Sequence, residues 1–156
     1  MKLTTHLLAG AAAGAAGTTA LNTVTFLDMA VRGRPSSNTP EQTIEKLSAR
    51  IPLRIPGDKQ TRDNRLSGLG ALTGVLAGVS LGAGLGLARA AGWRPGLVTS
   101  SVAAVLGALL VGNAPMTVLG VTDPRSWTAI DWVSDVVPHL AYGTVTAGVL
   151  QRMTRP

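Results

Sequence analysis

The stretch "GALTGVLAGVSLGAGLG", residues 70–86, sets a glycine at every fourth position: Gly70, Gly74, Gly78, Gly82 and Gly86. It lies inside residues 66–88, which carry no charge. In water such a stripe is a poor choice, because each helical glycine costs about 1 kcal/mol relative to alanine. In a bilayer helices gain no hydrophobic free energy by packing together, and small residues let two backbones approach closely. The stripe therefore predicts a membrane helix with a packing seam.

Crossing a hydrocarbon core of about 30 Å takes roughly 20 helical residues. Residues 97–122 are uncharged and long enough. Residues 3–27 are rich in alanine, glycine and threonine, and residues 129–153 are interrupted by Asp131, Asp135 and His139. The expected fold is all-α, a polytopic membrane protein of four transmembrane helices packed by GxxxG-type seams. One membrane domain fills 1–156, with spans at about 5–28, 67–89, 96–119 and 130–152. Each span repeats the small or polar stripe: Gly10, Gly14, Thr18 and Asn22 in the first, Ser100, Ala104, Ala108 and Gly112 in the third, and Asp131, Asp135, His139, Gly143 and Ala147 in the fourth. On the second, Leu72, Val75, Leu76 and Val79 are expected on the opposite side. Trp93, Trp127 and Trp132 fall at predicted span ends, where indoles favour the headgroup zone. A secretory leader is disfavoured for the first segment, which runs on through Asn22 and Asp28 into polytopic sequence.

The polar loop 33–65 carries one helix signal, with Thr39 as N-cap, Pro40 at the first helical position and Gln42 as capping-box partner. Ile44, Leu47 and Ile51 give this short helix, about 40–50, an apolar edge. That edge rests on the membrane surface or the helix ends, or the helix is simply solvated. "DKQTRDNR" after Gly57 reads as exposed linker. "RAAGWRPG" joins spans two and three as a hairpin, Gly92 ending one helix and Pro95 starting the next. Thr128 with Asp131 three residues on predicts a second cap.

The sequence pI is about 11.1, yet the basic residues lie in loops, eight of the fourteen between residues 29 and 65. Nucleic-acid binding needs basic residues clustered on one accessible face with stacking aromatics. The chain has five aromatics, none among the loop charges, so no nucleic-acid partner is expected. Without cysteine there is no disulfide, thiolate nucleophile or thiolate metal site.

Ionisable residues inside a membrane are costly and are functional candidates by default. Asp131, Asp135 and His139 recur one turn apart on one face of the fourth span. Antiparallel threading brings Asn22, Asn113, Asp135 and His139 to one layer near the long loop, with Asp28 and Asp131 above it. These residues either hold the helices together through hydrogen bonds or relay protons or bind a cation. His6 belongs near the opposite face, so a haem between the two histidines would need two depths at once. Zinc requires three or four convergent ligands, and none of HExxH, GxSxG or a P-loop is present. No enzyme, cofactor or metal is expected.

"GTTALNTVTFLDMAVRGRPSSNTPEQTIEKL" and "DPRSWTAIDWVSDVVPHLAYG" resemble a group of small four-span integral membrane proteins of actinobacteria. The resemblance covers nearly the whole chain, implies the four-span fold and supplies no catalytic residue. By analogy with small polytopic proteins that serve larger envelope complexes, such as lipid-import transporters, it implies an accessory or assembly subunit. Its partners are then the lipid bilayer and other integral membrane subunits, or a second copy of itself. The alternative is a small oligomeric proton-coupled or ion-conducting channel or transporter built on Asp135 and His139. The expected location is the cell membrane, with both termini on one side. Lys and Arg near the span ends number nine for the long and last loops against five for the termini and the short loop, which places the long loop in the cytoplasm. A cysteine introduced at Ser37 should accordingly resist impermeant label in intact cells; labelling from outside would reverse the topology.

Overall fold

A computed structural model describes residues 2–51 and 54–155. Among them are α1 (Leu3–Arg32), α2 (Thr39–Arg50), α3 (Lys59–Ala90), α4 (Leu97–Val118) and α5 (Ala129–Met153), with one 3-10 turn at Pro124–Ser126 and no strand. Two helices, α3 and α4, are long and apolar enough to cross a membrane. By length α1 and α5 match them, since 30 and 25 residues extend about 45 and 37 Å. They are less apolar, one built largely of small residues and the other carrying Asp131, Asp135, His139 and Arg152.

The four long helices run up, down, up, down. The seam between α1 and α3 contains almost no side chain. A methyl carbon added at Gly10 would stand 3.0 Å from the Cα atoms of Ala83 and Gly86, and one at Gly82 would meet the backbone of Gly10 and Gly14. Gly86 faces the carbonyl of His6, and Gly14 faces that of Gly78. These pairings place residue numbers rising on α1 against numbers falling on α3, so the helices are antiparallel. Next to the seam, Ala9, Ala13 and Leu150 form a buried cluster that joins α1 to α5, with Leu85 and Val149 against it.

Tyr142 on α5 is the largest fully buried side chain, at 1% exposure. Its hydroxyl donates to the carbonyl of Gly78 across the bundle at 2.7 Å. Room for the ring comes from Gly17 on α1, where a Cβ would lie 2.9 Å from Tyr142 Cδ2, and from Gly78, where it would lie 3.3 Å from Cε2. On the far side of α5, Gly143 lets the backbone of α4 approach at Ser101 and Val105, and Gly107 accommodates Leu81 between α3 and α4.

The glycine stripe is not uniform. A Cβ at Gly74 meets nothing within 4 Å, while one at Gly70 meets Pro40 and Glu41 of α2. A four-residue step advances about 40° around a helix of 3.6 residues per turn. The stripe therefore leaves α1 after Gly78, passes open surface at Gly74 and comes round to α2 at Gly70. For the same reason Val79, expected on the outer side, is half-buried with its Cα against Gly14. Leu72 and Leu76 do face outward, each more than half exposed.

The loop region also departs from expectation. Asn38, not Thr39, occupies the N-cap of α2, without a side-chain bond to the backbone. Gln42 reaches back to the Asn38 side chain instead, at 2.8 Å. This helix docks on α3 through Pro40 and Glu41 at Gly70 and through Glu45, which pairs with Arg62 at 2.7 Å. Leu47 and Ile51 stay exposed. The expected linker is the first two turns of α3, started by Asp58, whose carboxylate accepts the Thr61 N–H at 2.8 Å. That bond, a helix N-cap, holds the Asp58 carboxyl below its usual pKa. Pro95 precedes α4 by two residues, the N-cap being Gly96, and Gly92 takes the left-handed φ of 98° that turns the hairpin. The Thr128–Asp131 capping box forms as expected.

These contacts separate two glycines that the sequence pattern treats alike. Gly82→Leu forces a side chain into backbone and should destabilise by about 1–3 kcal/mol or more, the usual range for overpacking. Gly74→Leu should be neutral or slightly stabilising, because leucine is the better helix former. Thermal unfolding in mild detergent compares them, and equal melting temperatures would refute the seam.

Candidate functional site

The polar cluster gathers where α4 and α5 approach the long loop. Asn113 Nδ2 donates to Asp135 Oδ2 at 2.9 Å, joining the two helices. One turn further along α5, His139 Nδ1 lies 2.6 Å from the Asp135 carbonyl oxygen and 3.6 Å from its Oδ1. The other ring nitrogen, Nε2, points to Gly112, where a Cβ would stand 3.6 Å away. Both Asp135 and His139 are mostly covered, with 19% and 15% of the side chain exposed.

Local sequence explains this placement. Residues i and i+4 share a helix face, so Asp135 and His139 must be neighbours. Pro138 has no N–H and leaves the carbonyl of Ser134 without its helical partner, and Pro115 does the same to Val111 on α4. The two prolines thus free backbone acceptors beside the Asn113–Asp135 bond. Such carbonyls need another donor, which favours polar groups at this level.

The remaining members of the expected cluster are drawn elsewhere. Asp28 is held by Arg32, 3.2 Å away, and by Arg34 Nε. Arg32 in turn donates to Ser134 Oγ at 2.7 Å and so ties the end of α1 to α5. Asp131 is exposed and spent on the cap, accepting from the backbone N–H of Thr128 at 2.9 Å and from its hydroxyl. Asn22 is half-buried and makes no side-chain hydrogen bond among the described residues. The expected six-residue group of Asn22, Asp28, Asn113, Asp131, Asp135 and His139 is therefore a trio, Asn113, Asp135 and His139, beneath a layer of arginine-bound and capping carboxylates. Asn22 falls outside because Asp135 and His139 turn toward Asn113 and Gly112 of α4, whereas α1 meets α5 on another face, with Gly17 against Tyr142 and Thr146.

His6 lies at the other end of the bundle, its carbonyl against Gly86 and its ring Nδ1 3.3 Å from the Lys2 carbonyl oxygen. The two histidines cannot share a ligand. No three His, Asp or Glu side chains converge as a metal site among the described residues. Many hydroxyls within the helices bond their own backbone: Thr18 to Gly14, Thr23 to Thr19, Thr73 to Leu69, Thr117 to Asn113 and Thr144 to Leu140, all at 2.8–2.9 Å, whereas the buried Thr146 hydroxyl has no partner among the described residues. Several long-range ties are not foreseen from sequence, Tyr142 to Gly78 and Arg32 to Ser134 among them. The signals were there in a lone tyrosine within the α5 span and in a serine four residues before a proline. Neither names its partner.

Lys46 of α2 donates to the carbonyl of Gly120, linking the long loop to the α4–α5 connection. There Trp127 and Trp132 stack edge to face at 4.9 Å, and Trp127 Nε1 donates to Thr122 Oγ1 at 2.8 Å. Arg125 pairs with Asp123 and holds that carboxyl below its usual pKa. No protein-family model, curated protein or solved structure matches the chain.

The trio makes a specific energetic forecast. In a double-mutant cycle Asn113→Leu and Asp135→Leu should couple by about 0.5–1.5 kcal/mol, the size of an interhelical hydrogen bond in a membrane protein. Asn22→Leu should add to either without coupling. Coupling of Asn22 equal to that of Asn113 would restore the four-residue layer.

Proposed function

We propose that the chain is a four-span integral membrane protein of the cell membrane, of the small actinobacterial type it resembles. In this arrangement both termini lie on one side and the long loop faces the cytoplasm. It acts as a non-catalytic accessory or assembly subunit of a larger membrane complex. The four helices of the bundle are long enough for this arrangement, and large apolar side chains face outward along them, among them Leu8, Leu76, Val102, Leu106, Leu110 and Leu140.

The observation that carries the subunit reading is a second run of small residues on α3. Thr73, Ala77, Ser80 and Gly84 follow one another at steps of four, three and four, which keeps them on one stripe. Thr73, Ser80 and Gly84 are exposed, and a Cβ at Gly84 would meet nothing within 4 Å. The neighbouring seam shows what this protein does with such a stripe when a helix is available. In lipid an uncovered run of small residues leaves room for one more helix.

Affinity purification of the full chain from membranes in mild detergent, followed by mass spectrometry, tests this. A stoichiometric foreign membrane subunit should co-purify and should be lost in Gly84→Leu and Ser80→Leu, while the melting temperature stays within a few degrees of the parent. A lone homo-oligomer disrupted by the same substitutions would make the partner a second copy. Retention of the foreign subunit by both variants would sink the stripe as its docking face.

A second reading rests on the trio. An aspartate and a histidine one turn apart, with the imidazole Nε2 free of any hydrogen bond to the described residues, have the parts of a proton or cation site. Asp135→Asn keeps the shape and removes the titratable carboxylate. Proton or cation flux in proteoliposomes that disappears in Asp135→Asn would favour this reading; assembly that survives the change, with no flux in the parent, favours the subunit.

A further inference from the structure

Charge is divided between the two ends of the bundle in a way the net value hides. All eight carboxylates fall within residues 28–63 and 123–135, at the end that carries α2. Nine basic residues share that end with them. The opposite end, formed by the start of α1, the α3–α4 turn and the end of α5, holds Lys2, Arg89, Arg94, Arg152 and Arg155 and no acid.

Arg89 is the unusual member. It is only 8% exposed, and a buried charge is ordinarily paired. Its Nε donates to Thr154 Oγ1 at 2.9 Å, and that hydroxyl is itself turned back onto the Leu150 carbonyl. No carboxylate lies within 4 Å of Arg89 among the described residues. The nearby charge is a like one, Arg94, whose Nε donates to the Arg89 carbonyl at 3.2 Å. Among the described residues, Nε is the one nitrogen of the Arg89 guanidinium that makes a hydrogen bond. Thr154 thus fixes the guanidinium by one edge, and no described residue bonds the other.

We infer that this end of the bundle binds a phosphate group through Arg89, with Arg94 and Arg155 beside it. A planar guanidinium held by Nε presents two parallel N–H donors, which match two oxygens of a phosphate. Burial strengthens such a pair, and the anion supplies the countercharge that no described residue gives Arg89. Position points to the source. Arg89 is the first charge after the apolar run of α3, and Trp93 follows it, 41% exposed. On the four-span reading, on which this assignment of source rests, that is the depth of lipid phosphates. Basic residues flanking a span attract acidic lipids. The occupant is then the phosphodiester of an acidic phospholipid.

Native mass spectrometry of the full chain in detergent, titrated in parallel with phosphatidylglycerol and phosphatidylcholine, reads the site. Phosphatidylglycerol should be retained in preference, and Arg89→Gln should reduce that preference about tenfold, the loss expected for one charge-assisted hydrogen-bonding group. Arg94→Gln combined with Arg155→Gln changes only exposed side chains and should reduce it several-fold with the fold intact, which decides the matter if Arg89→Gln does not fold. Arg62→Gln, at the other end, should leave it unchanged. Inorganic phosphate that raises the melting temperature of the parent but not of Arg89→Gln would uphold the site with the free anion as occupant. Equal retention of the two lipids without any response to phosphate would overturn the proposal. So would a phosphatidylglycerol preference that survives both the Arg89 and the paired variants. A chain recovered from the soluble fraction that binds neither lipid would fail the four-span reading alone, because the phosphate titration tests the site without a membrane.

Discussion

Backbone contact between α1 and α3 is the constraint on which the rest of the bundle depends. Once Gly10, Gly14, Gly82 and Gly86 have brought the two backbones together, almost no side chain remains between them to absorb a shift, and the register of the pair is fixed by steric exclusion. Every other contact is read from that register. Gly17 and Gly78 are left facing the same space, which Tyr142 fills from α5 with its hydroxyl on the Gly78 carbonyl. With α5 set by its tyrosine, Gly143 presents a smooth surface to α4, and Asn113 arrives opposite Asp135. The polar trio is thus the last product of a packing hierarchy that begins with absent side chains.

Much of this was legible in the sequence, and the residues show why. Period-four spacing identifies the α3 seam because glycine's one structural asset, its missing Cβ, has few other uses within an apolar helix. The Asp135–His139 neighbourhood and the Thr128–Asp131 cap follow from helix geometry alone, being contacts within one turn. What failed were statements about partners. A stripe specifies a face but not where along it the partner departs, so Gly74 was assigned to a seam from which the helix had already rotated. Asn22 and Asn113 sit at matching levels on the parallel helices α1 and α4, and both helices pack on α5, yet Asp135 turns toward Asn113 alone. Lateral order around a bundle leaves no mark in the spacing of one segment.

The polar loop shows the same limit from the other side. Thr39, Pro40 and Gln42 carry the local signature of a helix start, and a helix does begin there. The cap shifts one residue, to Asn38, and Gln42 bonds the Asn38 side chain rather than its backbone. The helix is placed by long-range contacts instead: Glu45 with Arg62, Lys46 with Gly120, and Pro40 over Gly70. Those contacts lace the loop to α3 and to the α4–α5 connection, so the α2 end is tied across several elements. The opposite end has fewer ties, Arg89 to Thr154 and Gln151 to the Pro95 carbonyl among them.

The segregation of carboxylates also makes the molecule an electric dipole along its own axis. One end carries five basic side chains without a counter-ion, whereas the other carries nine against eight acids. Topology in membranes follows the count of lysines and arginines flanking the spans and largely ignores acids. The membrane potential, by contrast, acts on net charge, at about 2.3 kcal/mol per elementary charge for each 100 mV. For most proteins the two influences coincide. In this chain, set in the four-span arrangement, they oppose one another: the cation count directs the α2 end to the cytoplasm, while the field draws the uncompensated end toward that same negative side. In that arrangement an anion seated on Arg89 would reduce the imbalance and weaken the pull of the field on that end.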